Sequence, residues 1–386
     1  MTLEEKKKVF HGWAYGLFIH YGVYSVYGRG EWMMFFERRD PKQYFEEALP
    51  NFHPTYENGH YWADLAKRFA MRYAVLTTRH HEGYFIGDEV IRGFVDGCRE
   101  NHLGVGLYYS VADWSDPDYC AGPAARESWE RFVQKTHRQI KQIMTDYGKI
   151  DYLFYDACPP PATWRMLDLH KEIRAIQPEM LISRCGEDND LKSCEKHTTG
   201  DPNGIWETCD TLNDAWSYNQ FDHNWKSAKR IAEVLSTNRH NGGNLLLSIG
   251  PKADGSVQPE AIRILDETAA WVRANEEALF DVAPHPFDYH DREITTGRGN
   301  IAYLRPTRYF GPVLRVCGIG NKVERISWLT TGKEVRFRQN GDCIELFDMP
   351  PKPEGMPEIL KIELDGLPFG IKNPKSPDCR IKIYGE

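Results

Sequence analysis

The sequence predicts an α/β fold, a (β/α)8-like TIM barrel followed by a small C-terminal all-β sandwich domain, and three observations carry that prediction. Over the first three quarters of the chain, short apolar runs alternate with stretches of helical periodicity, as parallel strands covered by helices require. From about Pro284 the periodicity changes to two, which suits strands with one buried face. The length of 386 residues accommodates a barrel of roughly 250 residues with a domain of about 100 behind it. The barrel is therefore placed at residues 1–283 and the sandwich at 284–386.

Barrel strands are expected at 14–20, 73–78, 105–110, 150–156, 180–184 and 245–249, each an apolar run short enough for a strand buried on both faces. The helices between them follow from apolar residues spaced by three and four. Tyr61, Trp62, Leu65 and Phe69 form one such stripe, Val90, Ile91, Phe94 and Val95 a second, and Trp129, Phe132, Val133, Ile140, Ile143, Met144 and Tyr147 a third. Later helices are expected at 164–176 and 228–235, and from Pro259 to about Leu279, where proline suits a first helical position because its missing N–H is unbonded there anyway. In the sandwich, residues 335–338, 359–364 and 380–384 alternate, with turns signalled by Asn340-Gly341-Asp342 and Asp365-Gly366. Pro350-Pro351-Lys352-Pro353 reads as an exposed loop.

Charge and composition exclude several function classes. With 48 basic and 56 acidic residues the net charge is −8, so no basic excess exists to neutralise nucleic-acid phosphates. No stretch approaches the ~18 consecutive apolar residues of a membrane span. The start, Met1-Thr2-Leu3-Glu4-Glu5-Lys6-Lys7-Lys8, is charged with no apolar run behind it, so the chain as it stands reads as cytoplasmic, or as periplasmic or secreted if a leader has been removed. Nine cysteines, an odd number without a Cys-x-x-Cys pair, signal neither a disulfide framework nor a zinc ribbon. Aromatic residues reach 13%; such rings serve as sugar platforms as well as core material.

In a barrel of this kind the chemistry sits at the C-terminal ends of strands, so polar residues that terminate apolar runs are the candidates. They are His20, the pair His80 and His81, Tyr109, Asp156 and Arg184. Histidine, arginine and tyrosine hydrogen-bond sugar hydroxyls, and a carboxylate among aromatic rings can act as a nucleophile. Asp156 is the sharpest of them, because a carboxylate directly after four apolar residues is tolerable only at a strand end facing polar partners; a helix N-cap is the plain alternative. Glycoside hydrolysis needs a second carboxyl, and Glu187, Asp188, Asp190, Glu195 and Glu207 all follow Arg184. His80 and His81 are adjacent, not spaced by four on a helix, so substrate binding is favoured over metal ligation and no metal or other cofactor is expected. Trp114, Trp206 and Trp216 fit either the core or a pocket. The glycines of Asn241-Gly242-Gly243-Asn244 precede a strand and carry no Gly-Lys-Ser/Thr, so they permit tight backbone geometry rather than cradle phosphate.

Several segments, in order along about residues 10–280, resemble glycoside hydrolase family 29, the retaining α-L-fucosidases. They are Tyr15-Gly16-Leu17-Phe18-Ile19-His20-Tyr21-Gly22, Glu31-Trp32, Leu76-Thr77-Thr78-Arg79-His80-His81-Glu82-Gly83, and Gly106-Leu107-Tyr108-Tyr109-Ser110 with Asp113-Trp114. Then come Gly148-Lys149-Ile150-Asp151-Tyr152-Leu153-Phe154-Tyr155-Asp156, Trp206-Glu207-Thr208-Cys209 and Gly242-Gly243-Asn244-Leu245-Leu246-Leu247. The resemblance implies a nucleophile at Asp156 and an acid/base at Glu195. It implies sugar hydrogen bonds from His20, Glu31, Trp32, His80, His81, Tyr109 and Arg184, and an apolar wall of Phe18, Phe154 and Trp216 against the C5 substituent. The family usually has Trp where Tyr21 stands, Asp for Glu82, Trp for Phe154, Gly for Ser217 and Asn for Ser248. The expected activity is a cofactor-independent retaining exo-α-L-fucosidase acting on oligosaccharides or glycoconjugates. The alternatives weighed are the same mechanism on another α-L-glycoside such as an α-L-galactoside, a non-catalytic carbohydrate-binding relative, and a metal-dependent hydrolase.

Overall fold

The computed structural model describes residues 1–198, 200–201, 204–287, 293–309 and 311–371. The chain divides into two compact units, Met1–Arg273 and Ala274–Glu386. In the first, eight strands form one parallel sheet: β1 (Tyr15–Ile19), β2 (Tyr73–Arg79), β3 (Gly104–Ser110), β4 (Tyr152–Asp156), β5 (Leu181–Ser183), β6 (Lys192–Glu195), β7 (Trp206–Thr211) and β8 (Gly243–Ile249). Their order is β5-β4-β3-β2-β1-β8-β7-β6, and an isolated parallel bridge from Ser183 to Leu191 links the two ends into a nearly closed barrel. The expected fold class is found.

Strands β1, β2, β3 and β8 are buried at every residue, which is why each carries an apolar run on both of its faces, with polar residues only towards the ends. The helices Tyr56–Arg68, Asp88–Glu100, Arg126–Thr145, Met166–Ile176, Ala228–His240 and Pro259–Ala274 lie where the stripes placed them. The first two pack backbone against backbone, since a Cβ on Gly93 would sit 1.9 Å from the Tyr56 carbonyl oxygen and one on Gly59 2.1 Å from that of Val90.

Two barrel strands escaped the sequence reading. The segment 206–211 is polar by composition yet wholly buried, because its Glu207 accepts hydrogen bonds from Tyr73 Oη at 2.8 Å and Tyr152 Oη at 2.6 Å. The segment 192–195 is half-exposed and has no apolar pattern.

In the second unit an antiparallel sheet runs β13-β16-β11-β10-β9, and a smaller one β12-β15-β14. The strands are β9 (Ala283–Pro284), β10 (Glu293–Arg298), β11 (Ile301–Pro306), β12 (Val313–Cys317), β13 (Val323–Trp328), β14 (Phe337–Asn340), β15 (Cys343–Phe347) and β16 (Leu360–Leu364). Leu304, Ile326, Ile344 and Ile362 are among the side chains of their shared core. The strand expected at 380–384 lies outside the described residues.

The helix from Pro259 stops at Ala274, and a separate turn, Glu276–Leu279, gives Glu277 to Lys361 at 3.0 Å and to Tyr303 Oη at 3.2 Å. The second unit thus begins earlier than the expected 283/284 junction. The cysteine reading also needs correction: Cys317 and Cys343 stand directly opposite each other on β12 and β15 and form a disulfide. Strand pairing creates that proximity, and sequence spacing carries no trace of it. No helix among the described residues is long and apolar enough to cross a membrane.

Candidate active site

Every barrel strand runs in the same direction, so their C-terminal ends open on one side, and a cavity of about 230 Å³ lies there. Asp156 ends β4 and lines it. Its Oδ1 accepts from Arg184 Nη2 at 2.9 Å and from the Ala157 N–H at 2.9 Å, and its Oδ2 accepts from Tyr108 Oη at 2.8 Å. Burial by itself would raise the carboxyl, but Arg184, His81, Tyr108 and the Ala157 N–H outweigh it and hold Asp156 below the usual aspartate range. Arg184 sits just past β5 with φ at 60°, a left-handed conformation strained for a residue with a side chain. The same Nη2 reaches Glu195 Oε1 at 2.7 Å. One guanidinium therefore reaches both carboxyl groups.

Two histidines are set by the same device. Ser248 Oγ donates to the Trp216 carbonyl at 3.0 Å, so in its 2.8 Å contact with His20 Nδ1 it must accept, and the ring proton lies on Nδ1. Ser110 Oγ donates to the Ala112 carbonyl at 2.9 Å and likewise accepts from His81 Nδ1 at 2.7 Å. Burial pushes His20 down to about 3 and lowers His81 as well, so both rings are neutral near pH 7. Each is left with a bare Nε2 acceptor, and that of His81 lies 3.6 Å from Asp156 Oδ2. A ligand hydroxyl can donate to either ring. His80 lines the cavity beside them, its ring centroid 4.0 Å from that of His81.

Phe18, Phe154 and Trp216 form one apolar side, with Phe18 centred 5.0 Å from Phe154 and 6.3 Å from Trp216. Trp32 stands at the opening, 36% exposed. Glu31 is placed behind the lining, buried, its Oε2 accepting from the Ser217 N–H at 2.9 Å and so tying the Trp32 segment to the Trp216 segment. Tyr109 is a second expected residue that does not line the cavity. It is turned out of the barrel, its hydroxyl donating to Gln139 Oε1 at 2.7 Å and its ring 4.4 Å from the Arg79 guanidinium. Successive strand residues face opposite ways, and the inward place belongs to Tyr108. Glu187 is exposed and not part of the lining. Cys209, on β7, also lines the cavity, its thiol pushed up by burial and so un-ionised. Among the described residues no cluster of His, Cys, Asp and Glu is arranged to hold a metal ion.

A family model of alpha-L-fucosidase matches residues 2–277. The chain belongs to the alpha-L-fucosidase family. It is similar to the plasma alpha-L-fucosidase of Rattus norvegicus, 25% identical over 315 residues that cover 69% of each chain. The tissue alpha-L-fucosidase of the same species is 26% identical over 322 residues, covering 70% of this chain and 69% of that one. Among solved structures, alpha-L-fucosidase isoenzyme 1 from Paenibacillus thiaminolyticus superposes with a TM-score of 0.85 at 27% identity, covering 95% of this chain and all of the other. A family 29 alpha-L-fucosidase from Bacteroides thetaiotaomicron shares the fold, with a TM-score of 0.84 at 20% identity over 94% of this chain and 95% of that one. The enzyme is therefore a glycoside hydrolase of the fucosidase family. Every cavity-lining residue falls inside the matched segment.

Proposed function

We propose that the enzyme is a retaining exo-α-L-fucosidase that releases terminal α-L-fucosyl units from oligosaccharides or glycoconjugates without a cofactor. The observation that carries this reading is the Arg184 bridge, which holds Asp156 ionised within the cavity and Glu195, half-exposed, beside it. In the first displacement an Asp156 oxygen bonds to the anomeric carbon while the bond to the aglycone oxygen breaks, and that oxygen leaves with the Glu195 proton. In the second, Glu195 takes a proton from water, the water oxygen bonds to the anomeric carbon, and Asp156 departs as carboxylate. Two inversions give net retention.

A Bacteroides thetaiotaomicron fucosidase has been trapped as a covalent intermediate with 2-fluoro-fucosyl fluoride. The same reagent is expected to add one 2-fluorofucosyl mass to this enzyme, on the peptide containing Asp156. Asp156→Ala should fold normally, take up no label and lose several orders of magnitude in turnover, with azide partly restoring it as the β-fucosyl azide. Near-normal turnover by that variant would remove Asp156 from the chemistry.

One observation favours a second reading, with an α-L-galactoside as substrate: Phe154 stands where the family usually has the larger Trp. The wall of Phe18, Phe154 and Trp216 is nevertheless built of aromatic rings without a carboxylate, hydroxyl or amide, and an unpaired buried hydroxyl costs roughly 1–3 kcal/mol. The fucoside should therefore be preferred by about tenfold or more in kcat/KM when the two aryl glycosides compete. Equal rates, or a preference for the galactoside, would transfer the assignment to the second reading.

A further inference from the structure

At the mouth of the catalytic cavity Trp32 continues into exposed rings that the proposed reaction does not use. The short helix Met33–Phe36 buries Met33 and Met34 and turns Phe35 and Phe36 to solvent, 55% and 74% exposed. Trp32 lies within 5.6 Å of Phe35, 5.7 Å of Phe36 and 4.9 Å of Trp114, and Phe35 lies 5.2 Å from Trp114. Contiguous apolar surface of this kind marks a binding site more often than chance exposure does.

The patch continues the cavity. Trp32 belongs to both, and the His81 ring, whose Nε2 is 3.6 Å from Asp156, is centred 5.3 Å from Trp32 and 5.2 Å from Trp114. A group joined to an anomeric carbon held at Asp156 thus needs to span little more than one imidazole ring to reach the patch. The surface is also held in place. The Trp114 N–H donates to the His81 carbonyl at 2.8 Å, and the preceding Asp113 is buried against Arg79 at 3.4 Å and Lys135 at 2.9 Å.

Resting on the fucosidase reading above, we propose that Trp32, Phe35, Phe36 and Trp114 form an aglycone platform, on which the first sugar beyond the cleaved bond lays the C–H face of its pyranose ring. The rings supply stacking area at little entropic cost. The Trp114 indole N–H meets no acceptor among the described residues, and a sugar hydroxyl at the edge of a stacked ring can supply one. A hydrocarbon aglycone would cover that donor without pairing it.

The test compares wild type with the Phe35→Ala/Phe36→Ala double variant on three substrates: a fucosyl-galactose disaccharide, n-octyl α-L-fucoside and α-L-fucosyl fluoride, whose leaving group is a single atom. Binding energy from the aglycone should appear in kcat/KM, so the disaccharide is expected to lose about tenfold and the fluoride less than about twofold. Phe36→Trp should keep the disaccharide rate. Equal loss on disaccharide and fluoride, no loss on either, or a loss on the octyl fucoside as large as on the disaccharide each overturns the proposal. So does a change in sedimentation coefficient with unchanged rates, since the patch would then join two copies of the chain. Should wild type hydrolyse none of the three, the fucosidase reading itself falls, and the platform with it; activity on the fluoride with no effect of the variants overturns the platform alone.

Discussion

The neighbouring tyrosines Tyr108 and Tyr109 show what one residue of register decides. Both follow the same apolar run, and the sequence offers no way to tell which faces inward until β3 is paired with β4, where Ser110 aligns with Asp156. His20, His80, His81, Asp156 and Arg184 were legible as polar residues closing apolar runs, whereas Glu195, on the polar β6, was one of five carboxyls after Arg184 and was singled out only through family resemblance. Ser110 and Ser248 were not singled out at all, because serine next to a strand end is ordinary until its hydroxyl is seen committed to a carbonyl. The tyrosine pair yields a prediction in which one variant controls for the other. Tyr108→Phe removes a hydrogen bond that favours the ionised form of Asp156, so the acid limb of the kcat/KM profile should move to higher pH. Tyr109→Phe should leave that limb in place and lower stability by about 1 kcal/mol as Gln139 loses a partner. Matching pH profiles for wild type and Tyr108→Phe would mean that the Tyr108 bond does not set the ionisation of Asp156.

At the scale of elements, strands legible from sequence are those whose burial is achieved with carbon. The buried β7 is instead held by polar pairs that are distant in the chain: Glu207 with Tyr73 and Tyr152, whose hydroxyl also lies 2.6 Å from Ser183 Oγ. Hydrophobic periodicity cannot report a strand whose partners sit on β2, β4 and β5. The same cluster explains why a fully buried carboxyl is tolerated, since burial raises Glu207 while the Tyr152 and Tyr73 hydroxyls partly offset the rise. Deleting it should therefore be costly. Glu207→Ala orphans the buried Tyr73 hydroxyl at roughly 1–3 kcal/mol and leaves that of Tyr152 with Ser183 alone, so unfolding by urea should show a loss of about 1–4 kcal/mol. A loss under about 0.5 kcal/mol would mean that water or a rotated tyrosine replaces the carboxyl.

At the scale of the whole barrel, Glu82 joins three separated parts of the chain. It follows β2, its Oε1 accepts from the Val23 N–H beyond β1 at 2.8 Å, and its Oε2 accepts from Tyr44 Oη on the helix Pro41–Ala48 at 2.5 Å. Burial raises this carboxyl to about 7, with the Tyr44 hydroxyl and the Val23 and Tyr24 backbone bonds opposing the rise. Because the folded value lies above the ordinary 4.5 of the unfolded chain, the native state holds a proton that the unfolded state has released between those two pH values. Stability from Glu82 is thus fully present below about pH 4.5 and is lost as pH rises through about 7, a change of roughly 3 kcal/mol if it acts alone. Asp156 works in the opposite sense, its lowered value removing stability only as pH falls below the usual aspartate range. The buried histidines oppose Glu82 over the same interval: burial lowers His20, His80 and His81, so below the ordinary 6.5 the unfolded chain takes up protons that these native rings do not, and they destabilise the enzyme at pH 5 relative to pH 7.5. Glu82→Gln keeps an oxygen for the Val23 N–H and cannot ionise, so on going from pH 5 to pH 7.5 its stability in urea should change more favourably than that of wild type, by up to roughly 3 kcal/mol, the histidine contribution cancelling between the two proteins. Parallel pH profiles for the two proteins would show that Glu82 is ionised throughout in the native barrel, and that its hydrogen bonds from Tyr44 and Val23 outweigh its burial.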